Sequence, residues 1–311
     1  MSKQIALTGA TGFVGSRVLE ALLASGMNVR ALCRDPSRLD ERRGLTIVAG
    51  DLGPECDLEA FVEGCDAVVH IAGLIKARNR KEFDEVNIEG TRRLAAATLA
   101  VAPNACFQLM SSLAARAPEV SDYAASKRGA EEILMSCGLK DWHILRPPAV
   151  YGPGDKATLD LFRQIDRGRC PIPGRGEGRF SLIFVDDLAA AVCGLIDENP
   201  MPAVHELHDG QEGGYAWNDL VGVAANVTGR AVKPFRLSYG LMMTLATLVQ
   251  FWANLLGRTA FISPGKVREF CHEDWVAREN LLEEFLAWRP SVRAEEGFAT
   301  ALAWYKAHKW I

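Results

Sequence analysis

The chain has 311 residues, 49% of them apolar and 24% charged, with a formal net charge of −4. That length holds one large domain or two intimate ones around a substantial core. The weak negative charge and scattered basic residues exclude a basic nucleic-acid-binding surface. Eight cysteines without a Cys-x-x-Cys pair argue against zinc, so no metal is expected, and for reduced, mostly buried thiols in a cytoplasmic protein. The chain enters a strand pattern almost at once, with no basic-then-apolar leader, so no secretory signal is expected.

In chain order, Lys3–Thr8 reads as a strand that ends in a glycine turn. Phe13–Ser25 follows as a helix with Val14, Val18, Leu22 and Leu23 on one stripe. Met27–Cys33, Leu45–Ala49 and Asp66–Ile71 are the second to fourth strands. Arg92–Ala100 is helical, Cys106–Met110 is the fifth strand, Tyr123–Ser136 is helical and Trp142–Leu145 is the sixth strand. Strands alternating with helices define an α/β fold, a doubly wound parallel sheet of Rossmann type covered on both faces. Such sheets bind ligands at the carboxyl ends of their strands, near the switch point.

After Arg146 the texture changes. Pro147-Pro148, Gly152-Pro153-Gly154 and Pro171-Ile172-Pro173-Gly174 read as loop. Ser181–Val185 is strand-like, Asp187–Asp197 helical, and Val204–His208 returns a strand to the main sheet. From Trp217 the pattern is mainly helical. The expected organisation is a dinucleotide-binding domain of 1–150 plus about 181–210, with 151–180 and 211–311 as a smaller, discontinuous substrate-binding part. Within the latter, 237–257 carries no charge and is flanked by Arg236 and Arg258, a length close to a membrane span. Its polar interruptions favour a buried or half-buried helix over a pocket; contact with a membrane surface is the alternative.

Gly9, Gly12 and Gly15 recur every three residues between the first strand and the first helix. Gly9 permits a tight turn, Gly12 lets the backbone approach phosphate, and Gly15 allows close helix–strand packing. Thr11, Phe13 and Val14 complete a turn whose helix N-terminus faces a pyrophosphate with free N–H groups. The run Thr8-Gly9-Ala10-Thr11-Gly12-Phe13-Val14-Gly15 resembles the signature of the extended short-chain dehydrogenase/reductase superfamily, the NAD-dependent epimerase/dehydratase family. Five more motifs are similar and in the family's order: Gly50-Asp51-Leu52, His70-Ile71-Ala72-Gly73, Val86-Asn87-Ile88-Glu89-Gly90-Thr91, Arg146 to Gly154, and Phe184-Val185-Asp186-Asp187-Leu188-Ala189. They span roughly the first two-thirds of the chain.

The resemblance implies a nicotinamide cofactor contacted by the glycine turn, Asp51 and Leu52 at the adenine, His70, Ala72 and Gly73 after the fourth strand, Asn87, and Pro147 and Val150 after the sixth. The second strand ends in Cys33-Arg34-Asp35. Arg34 suits a 2′-phosphate, which favours NADP; Asp35 leaves NAD open. Tyr123 and Lys127, four apart on one helix face, make an acid–base pair. A neighbouring ammonium lowers a phenol's pKa, so Tyr123 serves as proton donor or acceptor. Lys127 also holds the nicotinamide ribose, and Ser112 orients the substrate oxygen.

Ala149 and Phe180 stand where epimerases of the family carry asparagine and arginine, with Arg179 one residue out of register. Ser112-Leu113-Ala114 replaces the dehydratases' Thr-Asp-Glu. The chain therefore looks closer to dihydroflavonol reductase-like and 3β-hydroxysteroid dehydrogenase-like members, and to the Rossmann-type accessory subunit of respiratory complex I. The expected function is NAD(P)-dependent hydride transfer between nicotinamide and a small carbonyl/alcohol substrate. A nucleotide-sugar epimerase is the first alternative and a catalytically silent nucleotide-binding scaffold the second. A homodimer is expected by analogy only.

Overall fold

A computed structural model describes residues 2–198, 200–278, 282 and 288–311. By internal contacts the chain divides into two compact units. The first comprises 1–146 and 188–206, with Leu282 and Trp288 of the stretch between the second unit's segments.

The first unit is built on six strands: β1 (Gln4–Thr8), β2 (Asn28–Cys33), β3 (Leu45–Ala49), β4 (Ala67–His70), β5 (Cys106–Met110) and β6 (Trp142–Arg146). A seventh, Ala203–Glu206, returns late in the chain. All pair in parallel, in the order Ala203–Glu206, β6, β5, β4, β1, β2, β3. The order reverses between β1 and β4, so the ligand crevice of a doubly wound sheet lies outside their carboxyl ends. Ile5, Leu7, Val29, Val68, Phe107 and Ile144 are fully buried, as expected of strands covered on both faces.

The helices of this unit are α1 (Phe13–Ala24), α2 (Leu58–Val62), α3 (Arg80–Phe83), α4 (Gly90–Val101) and α5 (Asp122–Ser136). Ser121 caps α5 by accepting from Ala124 N. Between α3 and α4 the turn widens to a π-helix over Asp84–Glu89, a local feature without a periodicity signal.

The second unit comprises 147–187, 207–278 and 289–311. Ala149–Tyr151 pairs with Leu182–Phe184 inside it, which draws 181–187 away from the nucleotide-binding part expected to hold them. Arg169–Pro173, read from its prolines as loop, is a strand paired in parallel with Lys233–Leu237. A two-stranded ribbon has outer edges on both strands, where a proline's missing N–H breaks no ladder bond. The core is aromatic: Tyr151, Phe162, Phe298 and Tyr305 are all at most 2% exposed, with successive ring centroids 4.9–5.2 Å apart.

The uncharged segment forms the helix Tyr239–Leu255. The expectation of a buried or half-buried helix is corrected: only Ala246 is buried, and Leu241, Leu245, Leu248, Phe251, Trp252 and Leu255 are each more than half exposed. Among the described residues no helix is long and apolar enough to cross a membrane. All eight cysteines are free thiols, five buried and three half-buried.

Candidate active site

At the switch point the chain itself makes a cradle. Gly9 has φ +82°, and a Cβ there would lie 2.7 Å from Ala72 N in the loop after β4. A Cβ on Gly15 would drive into the Gly9 carbonyl. Gly12 N donates to Gly9 O at 2.9 Å, closing the turn. As N-cap of α1, Gly12 offers no side-chain cap. First-turn donors of α1 therefore face outward without an intrahelical acceptor, and a side chain fits neither at the turn nor at the helix–strand crossing. These features fit a dinucleotide pyrophosphate. Thr11, Phe13 and Val14 are half-buried around this turn.

Beyond β2, Arg34 is exposed. Asp35 is occupied by its own turn, accepting from Ser37 N at 3.2 Å and Ser37 Oγ at 2.6 Å. Arg38, which motif reading missed, reaches Thr11 O at 3.4 Å and places a second cation beside the glycine turn. Its only sequence signal is a basic residue four places after Arg34. Asp51 is exposed and accepts from Gly53 N at 2.7 Å. Leu52 is buried in the core, against Gly90.

His70 departs from its expected place. Its ring is 1% exposed, with Nδ1 2.7 Å from Thr8 Oγ1 and Nε2 3.0 Å from Thr91 Oγ1. Ala72 N donates to Thr8 Oγ1, and Thr91 Oγ1 donates to Asn87 O. These directions assign a neutral imidazole protonated on Nε2. Burial, with the Lys127 charge, pushes the His70 pKa down to about 3. The ring is a strut between β1, β4 and the first turn of α4; it does not line a cofactor groove. Backbone alone represents this motif at the crevice, through Ala72 and Gly73.

Asn87 is likewise committed to the protein. Its Oδ1 accepts from Leu74 N at 2.7 Å, and its Nδ2 donates to Leu74 O at 3.0 Å and Ser126 Oγ at 2.9 Å. Ser126 Oγ in turn donates to Tyr123 O at 2.8 Å. The π-turn thus fixes the loop after β4 and the first turn of α5 together.

On α5, Tyr123 is half-buried, with its ring centroid 6.1 Å from that of Phe83. One turn on, Lys127 is 7% exposed and Nζ donates to Met110 O at 2.8 Å. Burial lowers its pKa to about 8, opposed by the charge of Glu131. Two ammonium protons remain for other acceptors. A Cβ on Gly73 would come 3.4 Å from this Nζ, so the loop after β4 passes close to the ammonium. Ser112, two residues beyond Met110, accepts from Ala114 N at 3.2 Å, which leaves its own O–H to donate. Ser111 is turned away, to Glu131. The structure thus brings the Lys127 ammonium to the carboxyl end of β5, two residues before Ser112, with Tyr123 one turn earlier on α5.

Glu131 was not singled out by motif, although it follows Lys127 by one turn. It is fully buried and accepts from Arg146 Nε at 2.9 Å and Nη2 at 2.7 Å. Arg146 and Arg116 both approach Glu206, at 3.5 and 3.3 Å. This ionic cluster ties α5 to β6 and to the strand Ala203–Glu206. Pro147 and Val150 lie in the second unit, Val150 opposite Ile183. Arg179, in that same unit, donates through Nε to Gly213 O at 2.8 Å and through Nη2 to Gly214 O at 2.9 Å. Phe180 packs on Trp217 at 4.7 Å.

One group with metal-ligand side chains exists among the described residues: Cys106, Asp141 and His143. It sits at the amino ends of β5 and β6, away from Ser112.

Fold and cradle together define a nicotinamide-dependent Rossmann enzyme. The chain belongs to the NAD dependent epimerase/dehydratase family, whose model matches residues 5–204. It is 37% identical over 309 residues to a ceramide reductase of Caulobacter vibrioides, covering 99% of this chain and 96% of that one. It is 31% identical over 243 residues to a UDP-glucose 4-epimerase of Vibrio cholerae, covering 67% and 72%. Among solved structures, MoeE5 in complex with UDP-glucuronic acid and NAD superposes with a TM-score of 0.74 at 23% identity, covering 98% and 99%.

Proposed function

We propose that this enzyme is an NADP(H)-preferring carbonyl reductase whose substrate is a ketone on an apolar, ceramide-class lipid. The observation that carries the reductase chemistry is Lys127: a buried ammonium one turn along α5 from Tyr123, held on the O of Met110, the last residue of β5 and two residues before Ser112. The lipid class rests on the ceramide reductase relative, similar along nearly the whole of both chains.

When bound, the nicotinamide supplies the hydride. The glycine turn and the first turn of α1 would hold its pyrophosphate, and Lys127 its ribose hydroxyls. Ser112 donates to the substrate oxygen and fixes its place. Tyr123 transfers its phenolic proton to that oxygen as negative charge develops, and the Lys127 ammonium stabilises the phenolate left behind. Solvent then restores the proton on Tyr123. The two exposed arginines beyond β2, Arg34 and Arg38, supply the charge that a 2′-phosphate needs, whereas Asp35 is committed to Ser37.

The epimerase reading draws on the Vibrio cholerae relative. Against it, the Arg179 guanidinium is engaged by two backbone carbonyls rather than open to a diphosphate. The test is NADPH oxidation with a ketone-bearing ceramide, beside NAD-supplemented assays with UDP-glucose. Product alcohol in the first assay and none of the sugar epimer in the second supports the proposal; the reverse pattern overturns it.

A further inference from the structure

We infer that the helix Tyr239–Leu255, with the basic residues on either side of it, is a docking surface for an anionic lipid bilayer. The inference stands apart from the reaction proposed above and rests on the water-facing side of the second unit. Leu241, Leu245, Leu248, Trp252 and Leu255 recur at i, i+4, i+7, i+11 and i+14, one stripe of an α-helix. They are 59%, 52%, 52%, 58% and 66% exposed. The adjoining face, about 100° round the helix, carries the buried Ala246 and the half-buried Met242, Val249 and Ala253, and the helix packs on the neighbouring helix Pro264–Phe270. The usual arrangement of a surface helix is therefore doubled: apolar inward and apolar outward. A contiguous outward stripe of this size marks an interaction site.

Charge selects the occupant. Residues 220–268 hold six basic side chains, Arg230, Lys233, Arg236, Arg258, Lys266 and Arg268, and not one of the chain's 39 acidic residues. The molecule as a whole is negative, at −4, so this is a local reversal. Lys233, Arg236 and Arg258 are exposed and make no ion pair among the described residues. Two of them bracket the helix. A second copy of this chain would bring like charges against these residues, whereas phosphodiester headgroups would neutralise them while the leucines and Trp252 enter the acyl boundary. At 17 residues the helix is about 25 Å long, short of the roughly 30 Å hydrocarbon core, so it lies along the interface and does not cross it.

The test uses the full chain and flotation with vesicles of phosphatidylcholine alone or mixed with phosphatidylglycerol. Binding to the mixed vesicles should be at least tenfold stronger and should weaken as salt rises. Leu245→Gln with Leu248→Gln and Trp252→Gln should remove binding at least tenfold with the thermal midpoint and nucleotide affinity unchanged, since these side chains contribute little to the packed interior. Arg236→Gln with Arg258→Gln should abolish the preference for anionic vesicles. No binding to either vesicle overturns the proposal, as does binding that the triple variant leaves intact. A dimer in light scattering that the triple variant dissolves also overturns it, and assigns the stripe to a second copy instead. Neither result touches the reductase assay.

Discussion

The carboxyl end of the sheet in the first unit and the core of the second unit solve burial in opposite ways. At the sheet, polar side chains go inside and each finds partners: Thr8, His70, Thr91, Asn87 and Ser126 form one continuous hydrogen-bonded chain ending on Tyr123 O. In the second unit, Tyr151, Phe162, Phe298 and Tyr305 fill the interior with rings. Directional bonds fix atoms in place but add little net stability each. Ring packing stabilises strongly but aims no polar atom. The first solution suits a site where a proton must move along one line. The second suits a body that only has to hold its shape.

The sharpest separation of the two comes from single substitutions. Tyr123→Phe removes the proposed proton donor and should lower kcat/KM by about 10²–10⁴-fold, with NADPH affinity retained in a fluorescence titration and the thermal midpoint unmoved. Lys127→Met should fall in the same range and also weaken NADPH binding. Phe298→Ala does the converse: a ring 2% exposed is lost from the aromatic core, which should cost about 3–5 kcal/mol, read as a lower urea midpoint. If Tyr123→Phe destabilises as much as Phe298→Ala, the contrast between the two regions fails.

Titration sharpens the picture of the polar region further, through its two buried basic groups, His70 and Lys127. His70 stays neutral in the fold down to about pH 3, while an unfolded histidine protonates near ~6.5. The unfolded chain therefore binds more protons between those values. Stability is fully present above about 6.5 and declines by on the order of a few kcal/mol as pH falls toward 3. His70→Asn should flatten that acid limb in pH-dependent urea melts. Lys127 acts in the same direction at higher pH: with its folded pKa at about 8, the unfolded chain binds more protons from there up to about 10.5. Stability from this group rises across that window. The rate of reduction should instead fall above about pH 8, as the ammonium that supports the phenolate is lost.

The sequence makes the first unit far more legible than the second. Short apolar runs alternating with helices locate six parallel strands within a residue or two, since strands buried on both faces admit almost nothing polar. The glycine turn reads directly because backbone approaches leave no choice of residue at Gly9 and Gly15. His70 misleads for the same physical reason that it works: a strand-end histidine beside a cofactor loop has the same sequence neighbours whether its ring faces outward or inward, and only Thr8 and Thr91, far apart in sequence, turn it in. Glu131 and Arg38 escape motif reading because their roles are set by partners at β6 and the glycine turn. In the second unit, Arg169–Pro173 hides as loop because edge strands tolerate proline. The helix Tyr239–Leu255 is found correctly by its lack of charge, but periodicity alone does not say which apolar face meets water.

The smallest effect tests the outer rim of the polar region. Arg34 and Arg38 are surface residues, and an exposed charge pair is worth roughly 1 kcal/mol or less. A phosphate contact is stronger, because charge-assisted bonds to its oxygens form in a fixed geometry. Arg34→Ala should therefore reduce the ratio of NADP to NAD affinity by roughly tenfold, about 1.4 kcal/mol, without weakening NAD. Arg34→Ala with Arg38→Ala should reduce it further if both face the 2′-phosphate. Because Asp35 already accepts from Ser37 N and Oγ, Asp35→Ala should loosen that turn and leave the proposed preference for NADP in place. A preference that survives both arginine substitutions removes the cation from the argument, and a gain in NADP affinity from Asp35→Ala would show the carboxylate, not the turn, to be the selecting group.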